Sequence, residues 1–171
     1  MLALLKRNFL LYFRNRSGVF FSLLGALISF ILYIIFLQKN LTDAWAQLPN
    51  SGPVLNNWLM SGTLAVTGIT TSLAALTQLV KDRERQVDQD LYLSDQGKWR
   101  LPFSYLTSAI IISFFMQVLM YVLMCGYFRE VPTLSLLPEV LLIMLLSSLL
   151  SSLVNAIFVY FFVIASFPNQ I

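Results

Sequence analysis

Residues 140–167 read VLLIMLLSSLLSSLVNAIFVYFFVIASF, without a single Asp, Glu, Lys or Arg. A bilayer hydrocarbon core is about 30 Å thick, and about 20 apolar residues in an α-helix cross it. This stretch exceeds that length, so it predicts a tilted span or one that reaches into the interface. Three further stretches carry no charged residue: 19–37, 58–80 and 102–128. Each is long enough to cross. The fold class expected is an all-α, polytopic helical membrane protein, with four transmembrane helices in a single domain over 1–171.

Composition agrees with that reading. Of 171 residues, 58% are apolar and only 11% are charged. Mean hydropathy is +0.77. An average soluble domain carries roughly 25% charged residues, so this chain has too few to cover a water-exposed surface. Disorder needs the opposite balance, with low hydrophobicity and high charge. The chain has no histidine and one cysteine, Cys125. A disulfide framework, the usual zinc sites and His-based acid–base chemistry are thereby set aside.

The stretch 19–37 follows basic residues, as a secretory signal would. Its apolar run is too long for a signal core, and Phe36-Leu37-Gln38-Lys39-Asn40 offers no small-residue cleavage site. It reads as a retained span.

Lys and Arg set the expected orientation. Lys6, Arg7, Arg14 and Arg16 precede the first span, and Lys81, Arg83, Arg85, Lys98 and Arg100 lie between the second and third. The other two connections hold only Lys39 and Arg129. The N-terminus and the central loop are expected in the cytoplasm, and with four spans the C-terminus joins them.

Residues 1–16 predict an amphipathic interfacial helix. Leu2, Leu5, Phe9, Tyr12 and Phe13 recur at helical spacing, and Lys6, Arg7 and Arg14 gather on another side. Such a helix lies on the membrane with its apolar side down. It serves either as a positive-inside anchor or as a surface for a partner protein, and both readings stay open here. Asn15-Arg16-Ser17-Gly18 ends the helix and turns the chain inward. The outward connection, 38–57, contains the turn residues Pro49-Asn50-Ser51-Gly52-Pro53. Trp45 and Trp58 suit an aromatic belt.

The central loop, 81–100, holds five of the eight acidic and five of the eleven basic residues. Helix formers dominate until Gly97. Val87, Leu91 and Tyr92 fall at i, i+4 and i+5, so a short apolar face emerges from a charged helix. One reading is a polar linker with an interfacial Leu-Tyr-Leu patch. The other is a cytoplasmic helix that docks into another protein's groove.

Inside the spans, uncharged polar residues form rows. Thr63, Thr67 and Thr71 continue to Ala75 at i+4 spacing, with Gly68 and Ser72 beside them. Ser147, Ser151 and Asn155 form a second row, flanked by Ser148 and Ser152. Small residues let helices approach, and hydroxyls bond across them. The rows serve helix packing or line a substrate path. Cys125 reads as a small buried hydrophobe.

No intramembrane ionisable residue is present to carry protons or sodium, which disfavours a secondary carrier. No phosphate-binding G-x-x-x-x-G-K-[ST] loop occurs. No nucleophile has a plausible base, so no catalytic, cofactor or metal site is expected, and nothing points to nucleic acid. The chain is expected not to be an enzyme.

The order of parts resembles the ABC-2 type permeases of ATP-binding cassette exporters. Leu4-Leu5-Lys6-Arg7-Asn8-Phe9, continuing through Phe13-Arg14-Asn15-Arg16-Ser17-Gly18-Val19-Phe20-Phe21, is similar to that family's opening. Val80-Lys81-Asp82-Arg83-Glu84-Arg85 is similar to its charged exit from span two. Leu91-Tyr92-Leu93-Ser94 and Leu101-Pro102-Phe103-Ser104-Tyr105-Leu106 resemble its coupling helix and the start of span three. The resemblance implies an amphipathic connecting helix, a cytoplasmic coupling helix and a separate ATPase subunit that hydrolyses ATP. It implies a second permease chain, lipid surroundings and a bacterial plasma membrane. Val87, Leu91, Tyr92 and Leu93 match the coupling segment and are expected to dock the ATPase. The family usually has six spans, so this chain is expected to be a natural short form, a truncated product or a fragment. A non-transporting scaffold or immunity-type protein is the alternative.

Overall fold

The computed structural model describes residues 2–45, 51–85, 87, 100–128 and 136–166. The described chain is helical nearly throughout: α1 (Leu2–Arg14), α2 (Arg16–Leu32), a π-helical segment (Tyr33–Leu37), α3 (Gln38–Ala44), α4 (Ser51–Glu84), α5 (Arg100–Phe128) and α6 (Leu137–Ser166). Four helical stretches are long and apolar enough to cross a membrane: Arg16–Leu41, Gly52–Glu84, Leu101–Phe128 and Leu137–Val163. This is an all-α polytopic membrane protein.

The helices outrun the apolar stretches that announce them. Hydropathy registers where charge is missing, whereas a helix continues until its backbone is broken. α4 therefore begins in the turn-rich segment ahead of its apolar stretch, with Gly52 and Pro53 in its first turn. Proline is tolerated there because the first amide groups of a helix have no intrahelical acceptor. At its other end α4 carries Lys81, Asp82, Arg83 and Glu84 onward in helical form. Gln38–Ala44, expected within a connection, is helical as well.

The α1–α2 joint takes a single residue. Asn15 leaves helical geometry, and its Oδ1 accepts the Gly18 amide at 3.1 Å. This is the N-cap that starts α2.

α4, α5 and α6 pack side by side, and α2 lies against α4. α4 is central, touching α1, α2, α3, α5 and α6. The buried positions of α5, Leu101, Tyr105, Ala109, Ile112, Met116, Met120 and Met124, recur every three or four residues. Two apolar cores result. One, at the Lys/Arg-rich end, joins Leu4 and Tyr12 of α1 to Leu76 and Val80, Leu101 and Tyr105, and Val159 and Val163. The other, at the distal end, joins Ala26, Met60, Met120 and Met124. Buried polar side chains of α4, α5 and α6 lie between the two. The outer face of α6 exposes Leu146, Leu150, Val154, Phe158 and Phe161, which suits contact with lipid chains.

Candidate functional site

The expected orientation of α1 needs correction. Its buried residues are Leu4, Asn8 and Tyr12, at i, i+4 and i+8, and Leu2 is 83% exposed. Phe9 and Phe13 are only partly buried. The helix is rotated from its amphipathic prediction because protein, and not lipid alone, covers it. A protein surface satisfies a polar residue such as Asn8, and hydrocarbon does not.

That rotation turns Arg7 inward. Its guanidinium lies 2.9 Å from the Oδ2 of Asp82, near the C-terminus of α4. The Tyr105 hydroxyl of α5 donates to the same oxygen at 2.5 Å. Gln78, one turn before Asp82, donates to Oδ1 at 2.8 Å. Both carboxylate oxygens are thus satisfied, as a buried charge demands. Burial by itself would lower the Arg7 pKa, but the bonds to Asp82 and Tyr105 more than offset it and raise the group above its ordinary range. Arg7 is a permanent cation.

Two further bonds fix α1. Asn8 donates to the Ser108 hydroxyl at 3.3 Å. Tyr12 and Ser22 lie 2.8 Å apart. Ser22 spends its proton on the Val19 carbonyl, so Tyr12 is the donor. One short helix is bonded to α2, α4 and α5 together. The sequence alone puts Asp82 in the charged helical exit from span two and gives Asn8 and Tyr105 no individual role. The available signal was the i, i+4 pair Gln78–Asp82.

The second polar group lies in the middle of the bundle. Thr63, Thr67 and Thr71 are buried on α4. Thr67 and Thr71 return their hydroxyl protons to the carbonyls of Thr63 and Thr67, at 2.8 and 2.6 Å. Asn155 of α6 donates to the Ile69 carbonyl at 2.8 Å and to the Ser72 hydroxyl at 2.7 Å. Ser113 of α5 donates to the Gly68 carbonyl at 3.1 Å. Gln117, which the sequence reading passed over, donates to the Leu64 carbonyl and to Ser147, at 3.3 and 3.2 Å. Gly68 sits where α5 and α6 side chains crowd α4. A Cβ there would fall 2.2 Å from Gln117 Nε2 and 3.1 Å from Ser151 Oγ.

Beyond Gln117 the three helices part. A cleft of about 620 Å³ opens between the distal halves of α4, α5 and α6. Its walls include Met60, Leu64, Val140 and Met144, with Gln117 and Ser147 deepest in the bundle.

The structure brings Thr63, Thr67 and Thr71 together with Ser147, Ser151 and Asn155 in the middle of the bundle. Val87 is helical and half-buried, while Leu91, Tyr92 and Leu93 lie outside the described residues. Compared with known proteins, the chain matches no family model, no curated protein and no solved structure.

Proposed function

We propose that this chain is a permease subunit, moving a substrate across the membrane by alternating access driven by a separate ATPase. The observation that carries the reading is the Arg7–Asp82–Tyr105 cluster. It ties α1 to the two helix ends that flank the charged loop 81–100. A partner pushing on that loop would move α4, α5 and α1 as one body, the mechanical connection that coupling to an outside ATPase requires. The Lys/Arg distribution supports placing this end in the cytoplasm. The resemblance to ABC-2 permeases supports Val87, Leu91, Tyr92 and Leu93 as the docking surface, and a second permease chain as the other half of the path.

The test is recovery of the full chain from native membranes in mild detergent. A nucleotide-binding ATPase is expected in stoichiometric amount, and the Leu91→Asp/Tyr92→Asp double substitution is expected to release it. ATPase retention by a correctly inserted double variant would count against the docking role. Absence of any ATPase would overturn the reading.

A non-transporting scaffold is the second reading. One observation favours it: Asn155, Ser113 and Gln117 spend their donors on contacts between helices. Nucleotide-independent behaviour of the inserted protein would support it.

A further inference from the structure

We infer that the distal cleft is a binding site for a neutral, elongated apolar molecule with a hydroxyl or N–H donor at its inner end, and that Gln117 is the residue that receives it. This inference goes beyond the transport reading and does not depend on it.

Gln117 is fully buried. Its Nε2 donates to the Leu64 carbonyl and to Ser147. A carbonyl can only accept, so the bond to Leu64 fixes which end of the amide is nitrogen. The remaining oxygen, Oε1, is buried and has no hydrogen-bond partner among the described residues. A buried acceptor left unpaired is costly, and hydrocarbon around the bundle supplies no donor. Gln117 borders the cleft, but Oε1 itself has no open surface, so a donor entering the cleft satisfies it only by displacing the side chains that cover it.

The cleft sets the rest of the ligand's chemistry. Its volume of about 620 Å³ falls within the roughly 300–1,000 Å³ typical of small-molecule sites. No lining residue is charged. A charged group would arrive without a counter-ion and lose its hydration, so the ligand is neutral. Met60, Leu64, Val140 and Met144 offer apolar walls, and Asn57 and Ser61 of α4 lie on the lining nearer the distal end. Along α5 the lining runs from Gln117 to Cys125, about 12 Å at a rise of 1.5 Å per residue. A ligand that fills the cleft is therefore long, with its donor at the Gln117 end.

Cys125, the chain's single cysteine, is half-buried and lines the same cleft. It reports occupancy. The full chain is placed in phosphatidylcholine nanodiscs, whose headgroups carry no donor. Alkylation of Cys125 by N-ethylmaleimide is then timed with 1-dodecanol, dodecyl methyl ether or dodecanoate. The alcohol is expected to slow alkylation at least fivefold. The ether, which has the same chain without the donor, and the carboxylate are expected to leave it within twofold. Gln117→Leu is expected to abolish protection by the alcohol. Ala65→Phe fills the cleft from an exposed wall position outside the polar contacts and is expected to abolish protection too. It serves if Gln117→Leu does not fold. Equal protection by alcohol and ether would overturn the assignment to Gln117, as would protection retained in Gln117→Leu. Protection retained in Ala65→Phe, no protection by the alcohol, or a Cys125 that fails to react in the ligand-free protein would overturn the site itself.

Discussion

Arg7 and Asp82, 75 residues apart in the chain, meet at 2.9 Å, with the Asp82 side chain 6% and the Arg7 side chain 30% exposed. Removing one member of a fully buried pair costs about 3–5 kcal/mol because the other charge is stranded. Here water still reaches Arg7, and Tyr105 and Gln78 continue to hold Asp82, so the loss is smaller. Arg7→Ala is expected to destabilise the protein by about 2 kcal/mol and to release α1. Tryptophan fluorescence during thermal unfolding in detergent reads the first effect, and trypsin cleavage after Lys6 reads the second. Arg7→Asp with Asp82→Arg should recover part of the loss. A single variant as stable and as protease-resistant as the parent would show that the pair does not hold α1.

Gly68 leads to a test of packing. Its missing Cβ leaves room for the Gln117 amide. Gly68→Ala is expected to cost about 1–3 kcal/mol, the range for inserting a methyl group into a packed interior. Part of that cost should vanish in the Gly68→Ala/Gln117→Ala double variant, where the colliding amide is gone. Strict additivity of the two substitutions would mean that the contact is relieved elsewhere.

Asn155 and Ser72 form a pair suited to a double-mutant cycle. Interhelical hydrogen bonds in membranes average about 0.6 kcal/mol and reach about 1.7. The bond to Ser72 is short, at 2.7 Å, and lies in a buried setting. A coupling of about 1 kcal/mol between Asn155→Ala and Ser72→Ala is expected. Zero coupling would assign the worth of Asn155 to the Ile69 carbonyl instead.

Orientation is open to a labelling test. In a Cys125→Ala background, Glu84→Cys and Asp43→Cys place single thiols on exposed positions at opposite ends of the bundle. An impermeant maleimide added to intact cells is expected to reach the second and not the first until the membrane is opened. The reverse pattern would invert the topology.

The four spans were legible because they need only length and the absence of charge, and both survive in a bare string of letters. Asp82 was not. In Lys81-Asp82-Arg83-Glu84-Arg85 acidic and basic residues alternate, and Gln78, one turn earlier, is the one local partner of Asp82. What buries Asp82 are partners 75 positions back and 23 ahead. The rotation of α1 was hidden for a related reason. Leu2, Leu5, Phe9, Tyr12 and Phe13 make a good apolar stripe, and burial of Asn8 is favoured by Ser108, 100 positions away, together with Arg7 beside it. The Thr and Ser rows were visible as spacing. Gln117 stood out less because it is a lone amide with no repeat around it, although an amide in a charge-free span is itself a packing signal.

The Arg7–Asp82 pair also imposes a timetable. Residue 7 is made long before residue 82, and Tyr105 follows later still. At roughly 5–20 residues per second, Arg7 waits on the order of ten seconds for its counter-ion. Until then the bonds that hold α1 in its rotated position have no partners to form with. The first thirteen helical residues are thus made first and locked late, by a clasp that closes only once the third span has begun.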